Sequence, residues 1–166
     1  MEEQSIVIEA ISDGTLSGAM CVWNEVVRVG DAFPQREELD VRQARDFFAA
    51  QSYTGVAKDA RTGAVCGVYI LHPNNVGRCA HICNASYAVA ADQRGRHIGE
   101  KLVRHCMEQA RRAGFRILQF NAVVSTNTPA LQLYEKLGFV RLGVIPGGFA
   151  TDSGTYADII PHYITL

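Results

Sequence analysis

The sequence predicts a mixed α/β fold in a single domain. Apolar segments with strand and helix periods follow one another as strand, two helices, three strands, helix, strand, helix and two strands. This order differs from the regular alternation of a doubly wound sheet. The chain has 166 residues and no segment that resembles a linker, and single domains commonly span ~100 to 200 residues. Most informative is Ala88–Ala113, where an apolar strand runs through a basic, glycine-bearing turn into a long amphipathic helix.

The first third of the chain is predicted to contain one strand and two helices. The strand is expected over Ser5–Ala10. A helix over Thr15–Val29 is indicated by apolar residues at helical spacing and by a glycine directly after them. Asp40 is followed three residues later by Gln43, a pair typical of a capping box, which predicts a second helix over Val41–Gln51.

Strand patterns dominate the centre of the chain. Tyr53–Lys58 and Ala64–Leu71 flank the turn sequence DARTG, which predicts a β-hairpin. A third strand is expected over Cys79–Ala90, after the turn sequence HPNNVGR. The amphipathic helix that follows the basic turn is expected to end at Gly114, because glycine is the common residue just after a helix.

The last third is predicted to add a buried strand, a short helix and two final strands. Ile117–Val124 is almost continuously apolar, as in a strand buried on both faces. A right-handed crossover should place it parallel to the strand at 80–90. Pro129 marks the first turn of the short helix. The final strands are expected over Val140–Val144 and Ala157–Leu166, with a loop rich in glycine and proline between them.

Composition excludes several classes of function. Hydrophobic residues make up 48% and charged residues 20%, with a formal net charge of −1, so neither disorder nor a general attraction to nucleic acid is indicated. The acidic start does not resemble a signal peptide, and no apolar run approaches the ~20 residues of a membrane span. The five cysteines are odd in number and lie in apolar segments, which favours reduced, buried thiols and a cytoplasmic location.

The basic turn has the chemistry of a phosphate site. Unpaired backbone N–H groups and a partial positive charge at a helix N-terminus favour anions. The main-chain donors that could wrap a pyrophosphate belong to Arg94, Gly95, Arg96, His97, Ile98 and Gly99. The glycine spacing fits neither a P-loop nor a Rossmann fingerprint. By itself, the segment is equally compatible with an ordinary strand-to-helix turn that carries solvated arginines.

A second segment gives the turn a more specific interpretation. The pair RGRHIG at 94–99 and NTPALQLYEKLGF at 127–139 resembles the two acetyl-CoA signatures of the GNAT superfamily of N-acetyltransferases. The resemblance is strong over Ser86–Phe139. It implies the GNAT fold, which has about four helices and a central mixed, mostly antiparallel sheet with one parallel strand pair at the coenzyme A cleft. It also implies acetyl-CoA as co-substrate, with no metal.

The turn departs from the superfamily's pattern at one position. Arg94, Ile98 and Gly99 match it, but His97 stands where the middle glycine usually lies. A glycine there lets the backbone approach phosphate without a side chain in the way. His97 must therefore turn its ring outward, or it narrows the pyrophosphate site.

The resemblance also implies roles for individual residues in acetyl transfer. Backbone groups of the strand at Tyr87, Ala88 and Val89 would bind the pantetheine arm and the acetyl carbonyl, and the Asn127 amide would bind the pantetheine. Tyr134 would protonate the coenzyme A thiolate, since a phenol with a pKa near 10 is a donor at neutral pH. No Asp or Glu lies on the strand over 79–90, so either a bound water removes the proton from the amine or the amine binds in its neutral form.

A looser resemblance concerns the acceptor. The C-terminal segments and the WNEVV and DAFP sequences are similar to a subgroup that acetylates free amino acids, including enzymes of the proline-analogue and phosphinothricin types. Asn84 and Asn121 match substrate-contacting asparagines of that subgroup, and Phe33 would wall the acceptor pocket. An amide inside an apolar strand costs about 1 to 3 kcal/mol unless it is hydrogen-bonded. The alternative is that each asparagine only satisfies nearby backbone groups.

Other interpretations remain open at this stage. Alternation along a strand would bring Cys79, His81 and Cys83 to one face, with Cys66 on the neighbouring strand, but buried thiols explain this pattern better than zinc and no metal is expected. Acetylation of peptide or protein N-termini is a second possible activity, and a non-catalytic acyl-CoA-binding sensor is a third. Neither nucleic acid nor membrane is an expected partner. The resemblance suggests a homodimer.

Overall fold

One eight-stranded sheet organises the chain, and the computed structural model describes residues 6–166 of it. Ser5, the predicted start of the first strand, lies outside the described residues. In chain order the elements are β1 Ile6–Ala10, α1 Asp13–Val29, α2 Val41–Ala49, β2 Tyr53–Asp59, β3 Val65–Pro73, β4 Ile82–Val89, α3 Ile98–Arg112, β5 Ile117–Val124, α4 Thr128–Lys136, β6 Val140–Arg141, β7 Ile145–Ala150 and β8 Tyr156–Thr165.

The sheet is antiparallel except at one strand pair. Its strands follow the order β1-β2-β3-β4-β5-β8-β6, and β7 also pairs with β8. The parallel neighbours are β4 and β5, which α3 connects. The predicted mixed α/β architecture is therefore confirmed, including the single parallel pair and the four α-helices of the described residues.

Local sequence signals set the helix ends. Asp40 and Gln43 form the predicted capping box at the start of α2. A second capping box, between Ser12 and Thr15, starts α1 two residues earlier than predicted. Gly30, with φ of 74°, ends that helix in the left-handed conformation that glycine tolerates.

Two predicted segments differ from the structure. The third strand begins at Ile82 rather than Cys79, because Gly77–Cys79 forms a short 3₁₀ turn. The loop predicted between the last two strands is largely β7, and β6 is only two residues long. Proline and glycine are tolerated in β7 because its pairing with β8 is irregular between Ile145 and Phe149.

Each face of the sheet carries its own apolar core. On one face, Leu102 of α3 and Leu131 of α4 pack with strand side chains such as Leu118 and Phe120. On the other face, Trp23 of α1 and Phe48 of α2 belong to a second cluster. Since successive side chains of a strand point to opposite faces, β4 contributes to both cores.

The cysteines are only partly as predicted. All five are free, but Cys21 and Cys79 are exposed rather than buried. His81 is exposed as well, and the alternation that would align it with Cys79 and Cys83 is absent because β4 starts after it. Between residues 6 and 166, no group of three or more potential metal ligands comes together. No helix in this range is long and apolar enough to span a bilayer.

Candidate active site

A cleft opens where the two parallel strands separate. β4 and β5 pair only at Ile82 with Ile117 and at Cys83 with Leu118. Beyond these pairs, β4 stays with β3, whereas β5 follows β8 through an irregularity between Phe120 and Val123. Bulges of this kind bend a strand away from its neighbour. The result is a cavity of about 230 Å³ between the strands.

The cavity is lined from both faces of the sheet. Tyr87 and Phe120 point towards α3 and α4, where they belong to the same apolar core as Tyr134. Asn84 of β4 points to the other face of the sheet, the same face as Ala88, which belongs to the core that contains Trp23. The cavity therefore crosses the sheet through the gap. Its complete lining is Ala32, Phe33, Pro34, Asn84, Ala85, Ser86, Tyr87, Phe120, Asn121, Ala122, Val123, Val124, Asn127, Ala130 and Tyr134.

The basic turn before α3 presents a row of free backbone donors. Gly95 and His97 both adopt left-handed conformations, with φ of 80° and 57°. Within the described chain, no N–H group from Arg94 to Gly99 donates a hydrogen bond to another backbone or side-chain group. Unpaired N–H groups in the first turn of a helix and directly before it favour anions. Pyrophosphate binding by this turn stays a prediction.

The side chains of this turn have separate surroundings. His97 is exposed, so its imidazole lies on the surface, as the missing glycine required. Its left-handed backbone is the single non-glycine example in residues 6–166. Arg94 is also exposed. Arg96 instead turns inward, where its guanidinium donates to Oδ2 of Asp59 at 3.0 Å and contacts Gln93. Sequence reasoning missed Asp59, which lies 37 residues away and carries no local signal of this contact.

Asn127 and Tyr134 meet at the α4 side of the cleft. Oδ1 of Asn127 accepts a hydrogen bond from the Ala130 N–H group at 3.3 Å and caps α4. Its amide N–H groups have no partner among residues 6–166 and lie at the cavity. The Tyr134 ring packs 4.5 Å from Phe120 and 5.7 Å from His162, measured between ring centroids. The structure thus brings both predicted coenzyme-side residues to one cavity.

Burial keeps Tyr134 protonated. The loss of solvent raises the pKa of the Tyr134 hydroxyl above its ordinary value, with the nearby Cys106 as a smaller cause. Buried thiols in the same core respond similarly, since desolvation raises the pKa of Cys106 to about 12.

Asn84 and Asn121 line the same cavity from two strands, and their contact with the acceptor stays a prediction. Oδ1 of Asn84 accepts a hydrogen bond from the following backbone N–H at 2.7 Å, which leaves its amide N–H groups free among the described residues. Asn121 donates to Oδ1 of Asn74 at 2.7 Å and accepts from Gln119 at 3.0 Å. Asn74 was not foreseen, because it lies in the turn after β3 and 47 residues from its partner.

Phe33 separates this cavity from a larger one. It is 8% exposed, and its ring lies 4.4 Å from that of Trp23. With Pro34 it borders a second cavity of about 510 Å³, which is reached from the α1–α2 loop and β7. Both charge signs occur there, on Arg28, Arg36, Glu38 and Asp152. A second cavity with charged side chains therefore lies on the other side of Phe33 from the cleft.

The cleft cavity contains no side-chain base within the described residues. None of its lining residues is Asp, Glu or His. His162 packs on Tyr134, but it is 1% exposed and does not line the cavity. Its Nδ1 atom lies 2.6 Å from the Ile160 carbonyl, and burial lowers its pKa. It is therefore a neutral residue that supports the Tyr134 ring.

Comparisons with known proteins agree with this geometry. The model of the Acetyltransferase (GNAT) family matches residues 23–139. The N-acetyltransferase aca1 of Schizosaccharomyces pombe is 31% identical over 74% of this chain and 66% of its own length. A GCN5-related N-acetyltransferase from Kribbella flavida is 34% identical, with a TM-score of 0.88 over 97% of this chain and 98% of its own. A phosphinothricin acetyltransferase from Sinorhizobium meliloti, solved with acetyl-CoA, is 19% identical. Its TM-score is 0.88, and the match covers 97% of this chain and 88% of its own.

Proposed function

This chain belongs to the Acetyltransferase (GNAT) family, a family of acyltransferases, and we propose that it transfers the acetyl group of acetyl-CoA to the amine of a free amino acid or close analogue. One observation carries the proposal. A single cavity crosses the sheet, with Tyr134 on one face and Asn84 and Asn121 on the other. Such a channel lets a thioester and an amine meet from opposite sides.

The coenzyme occupies the α3 and α4 face in this proposal. The free N–H groups of Arg94 to Gly99 bind the pyrophosphate, and the helix dipole adds to the attraction. The amide of Asn127 binds the pantetheine arm. Of the predicted residues Tyr87, Ala88 and Val89, Tyr87 lines the cavity and the other two do not. Beyond Cys83 the β5-facing edge of β4 has no partner strand, which leaves alternate backbone groups of this edge free to bind the acyl chain. These groups hold the acetyl carbonyl and stabilise its developing negative charge.

The reaction is a direct attack on the thioester. The neutral amine nitrogen forms a bond to the acetyl carbon, which places a positive charge on the nitrogen and a negative charge on the carbonyl oxygen. The oxyanion collapses as the carbon–sulfur bond breaks, and the nitrogen loses one proton to a bound water, which leaves the neutral amide. The sulfur leaves as a thiolate and takes its proton from the Tyr134 hydroxyl. Since no side-chain base lines the cavity in residues 6–166, the amine arrives neutral or loses its proton to a bound water. The phenol regains its proton from solvent before the next turnover.

A thiol-release assay tests this function. The protein is incubated with acetyl-CoA and a panel of free amino acids, proline analogues, polyamines and short peptides, and coenzyme A release is followed. We expect release with one or more free amino acids or analogues, together with an acetylated product of the expected mass. Release with polyamines alone would reject amino acids as the acceptor class, and it would still show that the protein is an acetyltransferase. Tight binding of acetyl-CoA with no release for any acceptor would favour a non-catalytic sensor instead.

The cavity beyond Phe33 favours a second candidate, acetylation of a peptide or protein N-terminus. It is larger than the cleft cavity and shares Phe33 and Pro34 with it. A peptide could place its terminal amine in the cleft and its following residues in this space. In the same panel, kcat/KM values for short peptides well above those for the matching free amino acids would select this function.

Two broader features belong to the proposal. A cytoplasmic location fits the free state of all five cysteines, since reducing compartments keep thiols unpaired.

A homodimer fits the exposed apolar side chains near β6 and β7, namely Val140, Leu142, Val144, Ile145 and Tyr156. Light scattering should then give twice the chain mass, and Leu142→Asp should reduce it to the chain mass.

A further inference from the structure

A buried ion pair links the phosphate-binding turn to a distant hairpin. Asp59 ends β2 and begins the hairpin turn to β3. Its Oδ1 atom accepts hydrogen bonds from the N–H groups of Arg61 and Thr62, at 2.9 and 3.3 Å. Its Oδ2 atom accepts the Arg96 guanidinium at 3.0 Å. One carboxylate therefore shapes the hairpin turn and holds an arginine of the coenzyme signature.

The cost of burying this pair distinguishes it from the other ion pairs of the chain. The side chains of Arg96 and Asp59 are only 23% and 9% exposed, whereas those of Arg104 and Arg112 in α3 are mostly exposed. Nε of Arg96 is buried, and it has no hydrogen-bond partner among residues 6–166. Buried charges with incomplete hydrogen bonding are expensive, and an apolar contact would join the same elements more cheaply. The pair is therefore a poor source of folding free energy, and its geometric effect is to tie the turn to the end of β2.

The turn has little else to fix its shape. From Arg94 to His97 it includes two left-handed residues, and no N–H group from Arg94 to Gly99 is bonded to the described chain. Backbone hydrogen bonds begin again only at Lys101, which donates to the His97 carbonyl. Between these points two side chains attach the turn to the sheet: that of Ile98, which is 1% exposed in the apolar core, and that of Arg96, which supplies the polar attachment through Asp59 and also contacts Gln93.

We propose that Asp59 is a positioning residue for the coenzyme, which acts through Arg96 to hold the free N–H groups of the turn in the arrangement that binds pyrophosphate. The inference rests on the proposed use of acetyl-CoA and adds a residue outside both signature segments. In this arrangement the guanidinium of Arg96 binds Asp59 at the end of β2 instead of the phosphate. The backbone N–H of the same residue donates to the phosphate. A turn fixed before binding loses less conformational entropy when the coenzyme arrives.

The test compares two acyl donors in the variant Asp59→Asn. Acetyl-CoA carries the pyrophosphate, whereas S-acetylpantetheine ends before it. With acetyl-CoA we expect KM to rise about tenfold, the effect of losing one hydrogen bond to a charged group, while kcat stays within about twofold of the wild type. With S-acetylpantetheine we expect kcat/KM to stay unchanged, because that donor never contacts the turn.

Glu9→Gln is the matched control. Glu9 forms an ion pair with Lys58, the neighbour of Asp59 on β2, at 2.7 Å and with intermediate exposure. Losing it weakens the same part of the sheet without releasing the turn. We expect unchanged KM for acetyl-CoA. An equal rise in KM in this control, or an equal loss with both donors in Asp59→Asn, would show that Asp59 acts through stability alone and would overturn the proposal.

Two further measurements keep the test decisive. Should Asp59→Asn unfold, the double variant Asp59→Asn/Arg96→Gln removes both charges, and it should show the same rise in KM. A folded double variant with wild-type KM would reject the inference. Should the wild type release no thiol with any acceptor, the proposed function fails by itself. Calorimetry with coenzyme A and pantetheine then tests the inference separately, and only coenzyme A should bind Asp59→Asn about tenfold more weakly.

Discussion

The two sides of the cleft are built from different parts of the polypeptide. On the proposed coenzyme side, the candidate binding groups are main-chain N–H donors of the turn before α3, to which the Asp59–Arg96 pair is attached. On the proposed acceptor side, the candidate groups are amide side chains, of which Asn121 bonds to Asn74 and Asn84 to a backbone N–H. Backbone donors bind a phosphate whatever side chains they carry. Side-chain amides bind only what complements them.

This difference separates binding of the coenzyme, which all members of a family share, from recognition of the acceptor, which can differ between them. A turn that works through its main chain can hold the same coenzyme across a whole family, provided that its shape is kept. The acceptor side depends on a few side chains from β4, β5 and the loop at Phe33. Substitutions on the coenzyme side should therefore change the handling of acetyl-CoA for every acceptor, and those on the acceptor side should change only acceptor affinity.

The largest effect is expected from Tyr134→Phe on the coenzyme side. Without the hydroxyl, the thiolate has no proton donor, and general acid catalysis contributes about 100-fold or more. We expect kcat to fall by at least this factor for every acceptor, while the Kd of acetyl-CoA measured by calorimetry stays within about twofold. The ring contacts with Phe120 and His162 are retained, so folding should persist. Unchanged turnover would remove Tyr134 from the chemistry.

The pH dependence should come from the acceptor rather than from the protein. Only the neutral amine attacks, so kcat/KM should rise tenfold per pH unit below the acceptor's own amine pKa. Tyr134 acts in its protonated form, which is populated below its pKa. Because burial raises that pKa above its ordinary value of 10.0, no decline should appear before about pH 10. Two acceptors with different amine pKa values test this. If the pH profile of kcat/KM rises at the same pH for both acceptors, the group that titrates is a base in the protein.

An acceptor-side change should have a smaller and more selective effect. The free amide N–H groups of Asn84 face the cavity, so Asn84→Ala should raise KM for the acceptor about five- to tenfold, the value of roughly one hydrogen bond. KM for acetyl-CoA should not change. Asn75→Ala is a matched control, since Asn75 also accepts from the next backbone N–H, at 2.8 Å, but lies outside the cleft. Equal effects in both variants would limit Asn84 to a structural role.

Sequence predicted the local features better than the distant ones. The capping box at Asp40 and the helix end at Gly30 are set by residues within one turn of each other, so their patterns are visible along the chain. The parallel strand pair follows from the crossover rule and was also predicted correctly. The contacts of Asp59 and Asn74 join residues 37 and 47 positions apart, and nothing in the local sequence marks either partner.

The extent of β7 shows a different limit. Its sequence, IPGGFA, has the proline and glycines of a loop, and an intrinsic preference for strand is absent. Pairing with β8 outweighs that preference, and the irregular register absorbs the residues that fit poorly. The second cavity next to Phe33 is bordered by this strand, so a loop prediction at 145–150 also left that part of the acceptor side unseen.

The smallest effect should come from His97→Gly, which tests whether the shape of the coenzyme turn, rather than its side chains, determines binding. A left-handed conformation costs a non-glycine residue about 1 kcal/mol, and glycine avoids that cost. With φ of 57° at this position, the variant should unfold at a temperature about 2–4 °C higher. KM for acetyl-CoA should stay equal or fall slightly, because the N–H groups keep their directions. His97→Ala retains the strain and is the control, so it should show no gain in melting temperature. A clear rise in KM in both variants would instead assign the exposed imidazole a direct contact with the coenzyme.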